Sequence, residues 1–314
     1  MTLATKGIHH ITAFATDPQG IVDFYAGVLG LRMVKKTINF DAPEVYHLYF
    51  GDEHGSPGTI LTFFPHPGSR KGRVGGGQVG ITTLAVPPGS MGFWEERLAR
   101  FGVETSKAVR FGEELLQFAD REGMLLEIVE REQGPENSWS FGGVPSDKAV
   151  KGFGGALLYS TNSAATRRAL TDTLGLKAAG ESDGFARFIG EGELGNIVDV
   201  PLEDVEYGSG GAGTVHHIAW RAKDFAEHEQ WRAAAAAGGF QPTPVIDRQY
   251  FNAVYFRESG GILFEIATDP PGFAVDEAED QLGAKLMLPD WYEPHRGQIE
   301  AGLLPITVRS LEEE

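Results

Sequence analysis

The sequence predicts an α+β protein of four β-α-β-β-β units that form two paired, duplicated domains. Three observations predict it. One strand–turn–helix–stop pattern recurs four times with fixed spacings. Short alternating apolar runs, the mark of half-buried strands, follow each helix pattern. A histidine pair heads an apolar strand twice, as GIHHIT at 7–12 and TVHHIA at 214–219.

The repeats set the order of elements. Segments 10–31 (HITAFATDPQGIVDFYAGVLGL) and 155–176 (GALLYSTNSAATRRALTDTLGL) share an LGL ending, and Asp17 to Gly30 spans 13 residues, as does Asn162 to Gly175. Segments 80–103 and 217–240 form a second pair, with 15 residues from Pro87 to Gly102 and from Asp224 to Gly239. Glycine is common just past a helix C-terminus, so Gly30, Gly102, Gly175 and Gly239 are read as helix stops. Strands follow at VYHLYFG (45–51), LLQFADREGMLLEIVE (115–130), FARFIG (185–190) and NAVYFRESGGILFEIAT (252–268), with DREG and ESGG closing hairpins. The units are 7–68, 77–132, 152–207 and 214–270, and the alternating spacings imply duplication of a two-unit half. The expected divisions are an N-terminal half (1–132), a Gly/Pro/Ser-rich linker (133–151), a C-terminal half (152–270) and a tail (271–314) carrying a short helix packed on the body. A sheet unit with its helix on one face leaves the other face open, and two such faces can enclose a ligand cavity.

Composition narrows the function. The chain has 314 residues, 41% hydrophobic and 23% charged, a globular balance. It has no cysteine, which excludes disulfides and thiolate metal sites and favours a reducing, cytoplasmic setting. The start MTLATKGIHHIT runs directly into a strand pattern, so no secretory leader is expected. A net charge of -17 disfavours nucleic acid and anionic membranes as partners.

Superposing the units compares two positions. At the first residue of strand one stand His10, Gly80, Gly155 and His217; in the last strand stand Phe63, Glu127, Asp199 and Glu265. Units one and four thus supply two histidines and one carboxylate, the donor set of open non-heme Fe(II) sites, with apolar Phe63 where a fourth ligand would stand. Units two and three supply carboxylates but no imidazole, so Glu127 and Asp199 are read as a degenerate structural site. Strand alternation places His9 and His216 on the face opposite His10 and His217, and Thr12 on the face of His10.

With these residues in order, the chain resembles the vicinal oxygen chelate (glyoxalase/bleomycin-resistance/extradiol dioxygenase) superfamily. GIHHIT, TVHHIAW, ILFEIATDPPGF and the tail LPDWYEPHRGQIEAGLLPI resemble, more narrowly, its ring-cleaving dioxygenases of hydroquinones. Ordinary extradiol catechol enzymes draw their ligands from the second half, where Gly155 breaks the pattern; the hydroquinone branch takes its first histidine from unit one. The resemblance implies an extradiol-type dioxygenase with Fe(II), or alternatively Mn(II), held by His10, His217 and Glu265. It implies catalytic roles for Tyr255, His216 and Arg248, and substrate contacts for Thr12 and His9; Phe63 is expected to wall the ring. The expected partners are a small aromatic substrate, dioxygen and, at most, further copies in a homo-oligomer.

Plainer readings compete. A glyoxalase-type isomerase or lyase usually carries a fuller ligand set, so Phe63 counts against it. A non-enzymatic aromatic-binding protein needs no triad. His47, His54, His66, His228 and His295 are read as solvated or capping. GGGQVG (75–80) precedes a strand rather than joining strand to helix, which argues against a dinucleotide; with GSGGAG (208–213) it is read as a flexible connector.

Overall fold

The computed structural model describes residues 3–311. Unit one runs β1 (Ile8–Ala15), α1 (Pro18–Val22), β2 (Arg32–Asn39), β3 (Ala42–Gly51) and β4 (Ile60–Pro65), with a π-helical turn (Asp23–Val28) extending α1. Unit two runs β5 (Gln78–Val86), α2 (Met91–Arg100), β6 (Thr105–Arg110), β7 (Glu113–Ala119) and β8 (Leu125–Glu130). Unit three runs β9 (Gly152–Tyr159), α3 (Ser163–Arg168), β10 (Lys177–Ser182), β11 (Phe185–Ile189) and β12 (Ile197–Pro201), with α3 extended by the same kind of π turn (Ala169–Thr173). Unit four runs β13 (Val215–Ala222), α4 (Phe225–Ala237), β14 (Ile246–Asp247), β15 (Phe251–Arg257) and β16 (Leu263–Pro271). The four helix-stop glycines take positive φ, between 69° and 87°, which only glycine adopts without cost.

Two sheets of eight strands result, ordered β14-β15-β16-β13-β1-β4-β3-β2 and β10-β11-β12-β9-β5-β8-β7-β6. Each takes one unit from each half of the chain: unit one pairs with four, and unit two with three. The central seams, β1 with β13 and β5 with β9, are antiparallel. Each seam strand is flanked by the last strand of its own unit, in parallel. Strand alternation then sorts the side chains. Ile11, Ala13, Ile218, Trp220, Phe264 and Ile266 enter one core with α1, α2 and the second sheet. Each large apolar side chain buried there contributes about 1.5–3 kcal/mol. The intervening residues face the open side of the sheet.

The glycine-rich connectors are not flexible. Residues 71–76 and 207–212 pair with each other through Lys71↔Ala212, Arg73↔Ser209 and Gly76↔Tyr207. A Cβ on Gly76 would lie 2.2 Å from the Val205 carbonyl oxygen, so glycine serves close backbone approach here, not freedom. The linker is pinned by the buried Arg97, which donates to Val28 O at 2.6 Å and to Gly142 O at 2.5 Å. The tail carries the short helix α5 (Arg296–Gly302), none of it buried. It is held to unit one by the Tyr46 hydroxyl donating to Leu304 O at 3.0 Å and by Arg309 with Asp23 at 3.0 Å. Among the described residues no helix is long and apolar enough to cross a membrane.

Candidate metal centre

His10 stands on β1, His217 on β13 and Glu265 on β16, three neighbouring strands. Their donor atoms all lie within 4.8 Å of one another. His10 Nε2 is 3.2 Å from His217 Nε2, and Glu265 Oε2 is 2.9 Å from His217 Nε2 and 3.3 Å from His10 Nε2. All three side chains are buried.

The second histidines reach this point by alternation, but the first do not turn away as alternation predicts. The β1–β13 ladder steps from Ile8↔Trp220 to His10↔Ala219, and from Thr12↔His217 to Ala13↔Val215. His9 and His216 are each one extra residue, a β-bulge that re-aims its side chain. Each ring therefore leans on its neighbour's: His9 Nδ1 is 3.0 Å from His10 Nδ1, and His216 Nδ1 is 2.8 Å from His217 Nδ1. Such contacts orient the rings whose Nε2 atoms converge. His9 is buried behind His10 against Phe251, whereas His216 lines the cavity.

The bulges also correct the register between repeats. Glu265 pairs with Ala219, two residues past His217. The residue two past His10 is Thr12, which pairs with Thr62. Thr62, not Phe63, holds the fourth position. Phe63 points to the helix side, 4.3 Å ring-to-ring from Tyr25 and 6.0 Å from Phe50, and walls no ligand. The one-residue slip exchanges the faces of the sheet. In unit two the counterpart of His10 is likewise Ile81 rather than Gly80, which is itself the bulge.

A cavity of about 340 Å³ opens above the three donors. Phe14, Phe40, Phe64 and Phe251 give it aromatic walls, and its polar lining includes His216, Arg248, Tyr255, His47 and Tyr49. The Arg248 guanidinium lies 5.5 Å over the Tyr255 ring and pairs with Asp41 at 3.0 Å. Tyr255 stands edge-on to His217 at 5.7 Å. Of the histidines read as solvated or capping, His47 lines this cavity, and His228 is buried with Nε2 at 2.8 Å from Ile266 O. His54, His66 and His295 are exposed. Tyr49, Thr62 and His47 escaped the sequence reading because only the strand pairing brings them under one roof.

Burial would raise the Glu265 carboxyl, but His10 and His217 outweigh it and hold it below the usual range, so it is a carboxylate. Burial pulls His217 down against the pull of Glu265, and lowers His216 to about 3. Burial, then Glu265, push the Tyr255 phenol up.

These donors fit a divalent cation. Among the described residues neither Glu265 oxygen has a hydrogen-bond partner; its near neighbours are His217 Nε2 at 2.9 Å and His10 Nε2 at 3.3 Å. A buried carboxylate without donors is costly unless a cation completes it. Donors at right angles, each about 2.1 Å from one ion, stand about 3 Å apart, as these do. Two imidazoles and one carboxylate form the open facial set of non-heme iron.

A model of the Glyoxalase/Bleomycin resistance protein/Dioxygenase superfamily matches residues 7–128 and 152–275. The chain belongs to this superfamily. It is 56% identical over 312 residues to MhqO of Bacillus subtilis (strain 168), provisionally named a ring-cleaving dioxygenase, with 99% of this chain and 100% of that one covered. It is 33% identical to the chlorohydroquinone/hydroquinone 1,2-dioxygenase of Sphingobium indicum, covering 90% of each. A crystal structure from Bacillus subtilis, itself provisionally described as a dioxygenase, superposes with TM-score 0.98 at 56% identity, covering 99% of this chain and 100% of that one. Glyoxalase I from Zea mays superposes with TM-score 0.62 at 14% identity, covering 84% and 92%, and so shares the superfamily's fold.

Proposed function

We propose that the protein is a non-heme Fe(II)-dependent, extradiol-type dioxygenase that opens a hydroquinone ring beside one hydroxyl. Mn(II) suits the same donors. One observation carries this reading: His10, His217 and Glu265 converge beneath an aromatic-walled cavity, and the fourth position is closed to a ligand. Thr62 stands there, and its hydroxyl is already bonded to Thr12 and His47, each at 2.8 Å. That counts against the fuller ligand set of a glyoxalase-type enzyme. The two named dioxygenase relatives support the reading of the aromatic walls.

When bound, the ion supplies the electrons and open positions for dioxygen chemistry and acidifies a coordinated phenol. The chain's residues do the rest. Phe14, Phe64 and Phe251 hold the ring and keep water out. His216, neutral at pH 7, accepts the His217 Nδ1–H at its own Nδ1 and so presents Nε2–H to the cavity, a donor for a substrate oxygen. Arg248 faces developing oxyanion charge. Tyr255, whose phenol stays protonated, donates to oxygen.

The test is anaerobic purification, metal counting, and oxygen uptake with hydroquinone, catechol and the methylglyoxal–glutathione adduct. Hydroquinone-dependent uptake is expected from iron-loaded protein. Isomerisation of the adduct without uptake would replace this reading with a glyoxalase-type one, and binding of hydroquinone without turnover would make the protein a carrier.

A further inference from the structure

Beside the three donors lies a chain of hydrogen bonds that the reading above does not use. Tyr49 is buried, 1% exposed, and burial raises its phenol well above the ordinary value, so it keeps its proton. Its hydroxyl lies 2.8 Å from His47 Nδ1. His47 Nε2 lies 2.8 Å from Thr62 Oγ1, and Thr62 Oγ1 lies 2.8 Å from Thr12 Oγ1. Burial, with His10 and His217 nearby, holds His47 well below its ordinary value, so the ring is neutral.

These facts fix a direction. A neutral imidazole has one acceptor nitrogen and one N–H. Tyr49 has its proton to give, so Nδ1 accepts and Nε2–H donates to Thr62. Thr62, having accepted from Nε2–H, has its own proton to give to Thr12 Oγ1, 2.8 Å away. The Thr12 oxygen is used as acceptor, and among the described residues no acceptor takes its proton. Thr12 is fully buried, shares the face of His10 two residues along β1, and pairs with His217 across the seam.

We propose that His47 is a positioning residue: with Tyr49 and Thr62 it forms a one-way relay that aims the Thr12 hydroxyl proton at the oxygen atom brought to His10, His217 and Glu265. The inference rests on the dioxygenase reading for what that oxygen belongs to, a phenolic substrate or dioxygen. The relay itself is a property of this chain. A donor fixed in advance costs no reorganisation when charge develops on that oxygen, so its loss appears in kcat rather than in KM.

The experiment has two arms. In metal-free or Zn(II)-loaded protein labelled with ¹⁵N at histidine, His47 should show a protonated Nε2 and a bare Nδ1, and Tyr49→Phe should let the other tautomer appear. In iron-loaded protein, Thr62→Val and His47→Phe should lower kcat about 10- to 100-fold with metal content and KM little changed. Thr62→Ser, which keeps the hydroxyl, should restore kcat. A protonated Nδ1 in the unaltered protein, or full kcat in Thr62→Val, overturns the relay. Metal-loaded protein that consumes no oxygen with any aromatic diol sinks the dioxygenase reading instead, and the nitrogen signals still decide the relay.

Discussion

The two sheets place the same strands, the same bulges and the same four corners in space, yet the corners hold opposite chemistry. In the first sheet the corners are His10, His217, Glu265 and Thr62. In the second they are Ile81, Gly155, Asp199 and Glu127. The second pair of carboxylates is neutralised from within. Arg110 pairs with Glu127 and, at 2.6 Å, with Asp199, while Arg187 meets Asp199 at 2.8 and 2.9 Å. Thr83 and Gln117 also donate to Glu127, at 2.6 and 3.2 Å. The first sheet's four corners hold one carboxylate and two buried imidazoles, and among the described residues no arginine pairs with Glu265, so a bound cation would supply its countercharge. A buried carboxylate demands a cation in either sheet; guanidinium closes one site, and its absence keeps the other open.

The largest test of this contrast is removal of the open site's donors. His10→Ala, His217→Ala or Glu265→Ala should abolish metal binding and turnover together, read by metal analysis and oxygen uptake; a variant keeping both would undo the assignment. Next is Arg110→Ala, which leaves the buried Glu127 without a cation and Asp199 with Arg187 alone. It should cost about 3–5 kcal/mol in urea unfolding while the metal content stays that of the unaltered protein. A smaller effect probes why the second sheet cannot be converted. Gly155 has φ 151°, and a Cβ there would lie 2.3 Å from the Ile197 carbonyl oxygen. Gly155→Ala should therefore cost about 1–3 kcal/mol by thermal melting, and a neutral result would mean an imidazole could have stood there. Smallest is Phe63→Leu, expected to lose about 1 kcal/mol from the helix-side core with KM unchanged. A raised KM would return Phe63 to the cavity.

The repeats, the helix-stop glycines and the identity of the three converging residues were legible in the sequence, because spacing and residue type survive duplication. The bulges were not. An extra residue in a strand leaves no mark in an apolar pattern, so plain alternation puts His9 and His216 on the opposite face and counts Phe63 where Thr62 stands. The glycine-rich connectors depart from expectation for a related reason: composition predicts looseness, whereas their pairing partners lie more than a hundred residues away. His47 resembled any strand histidine until β3 was laid beside β4.

The pairing of unit one with unit four has a consequence for biosynthesis. Units two and three adjoin in the chain and can close their sheet as soon as both have emerged. His10, made before unit two, must wait for Glu265, made after unit three. On the function proposed above, an ion held by all three donors would be captured only by a chain translated through β16, and a product cut short before β16 would lack one of them. Ribosome-arrested chains of graded length, assayed for tight metal uptake, should show it switching on only once β16 has cleared the exit tunnel; uptake by a chain lacking β16 would refute this order.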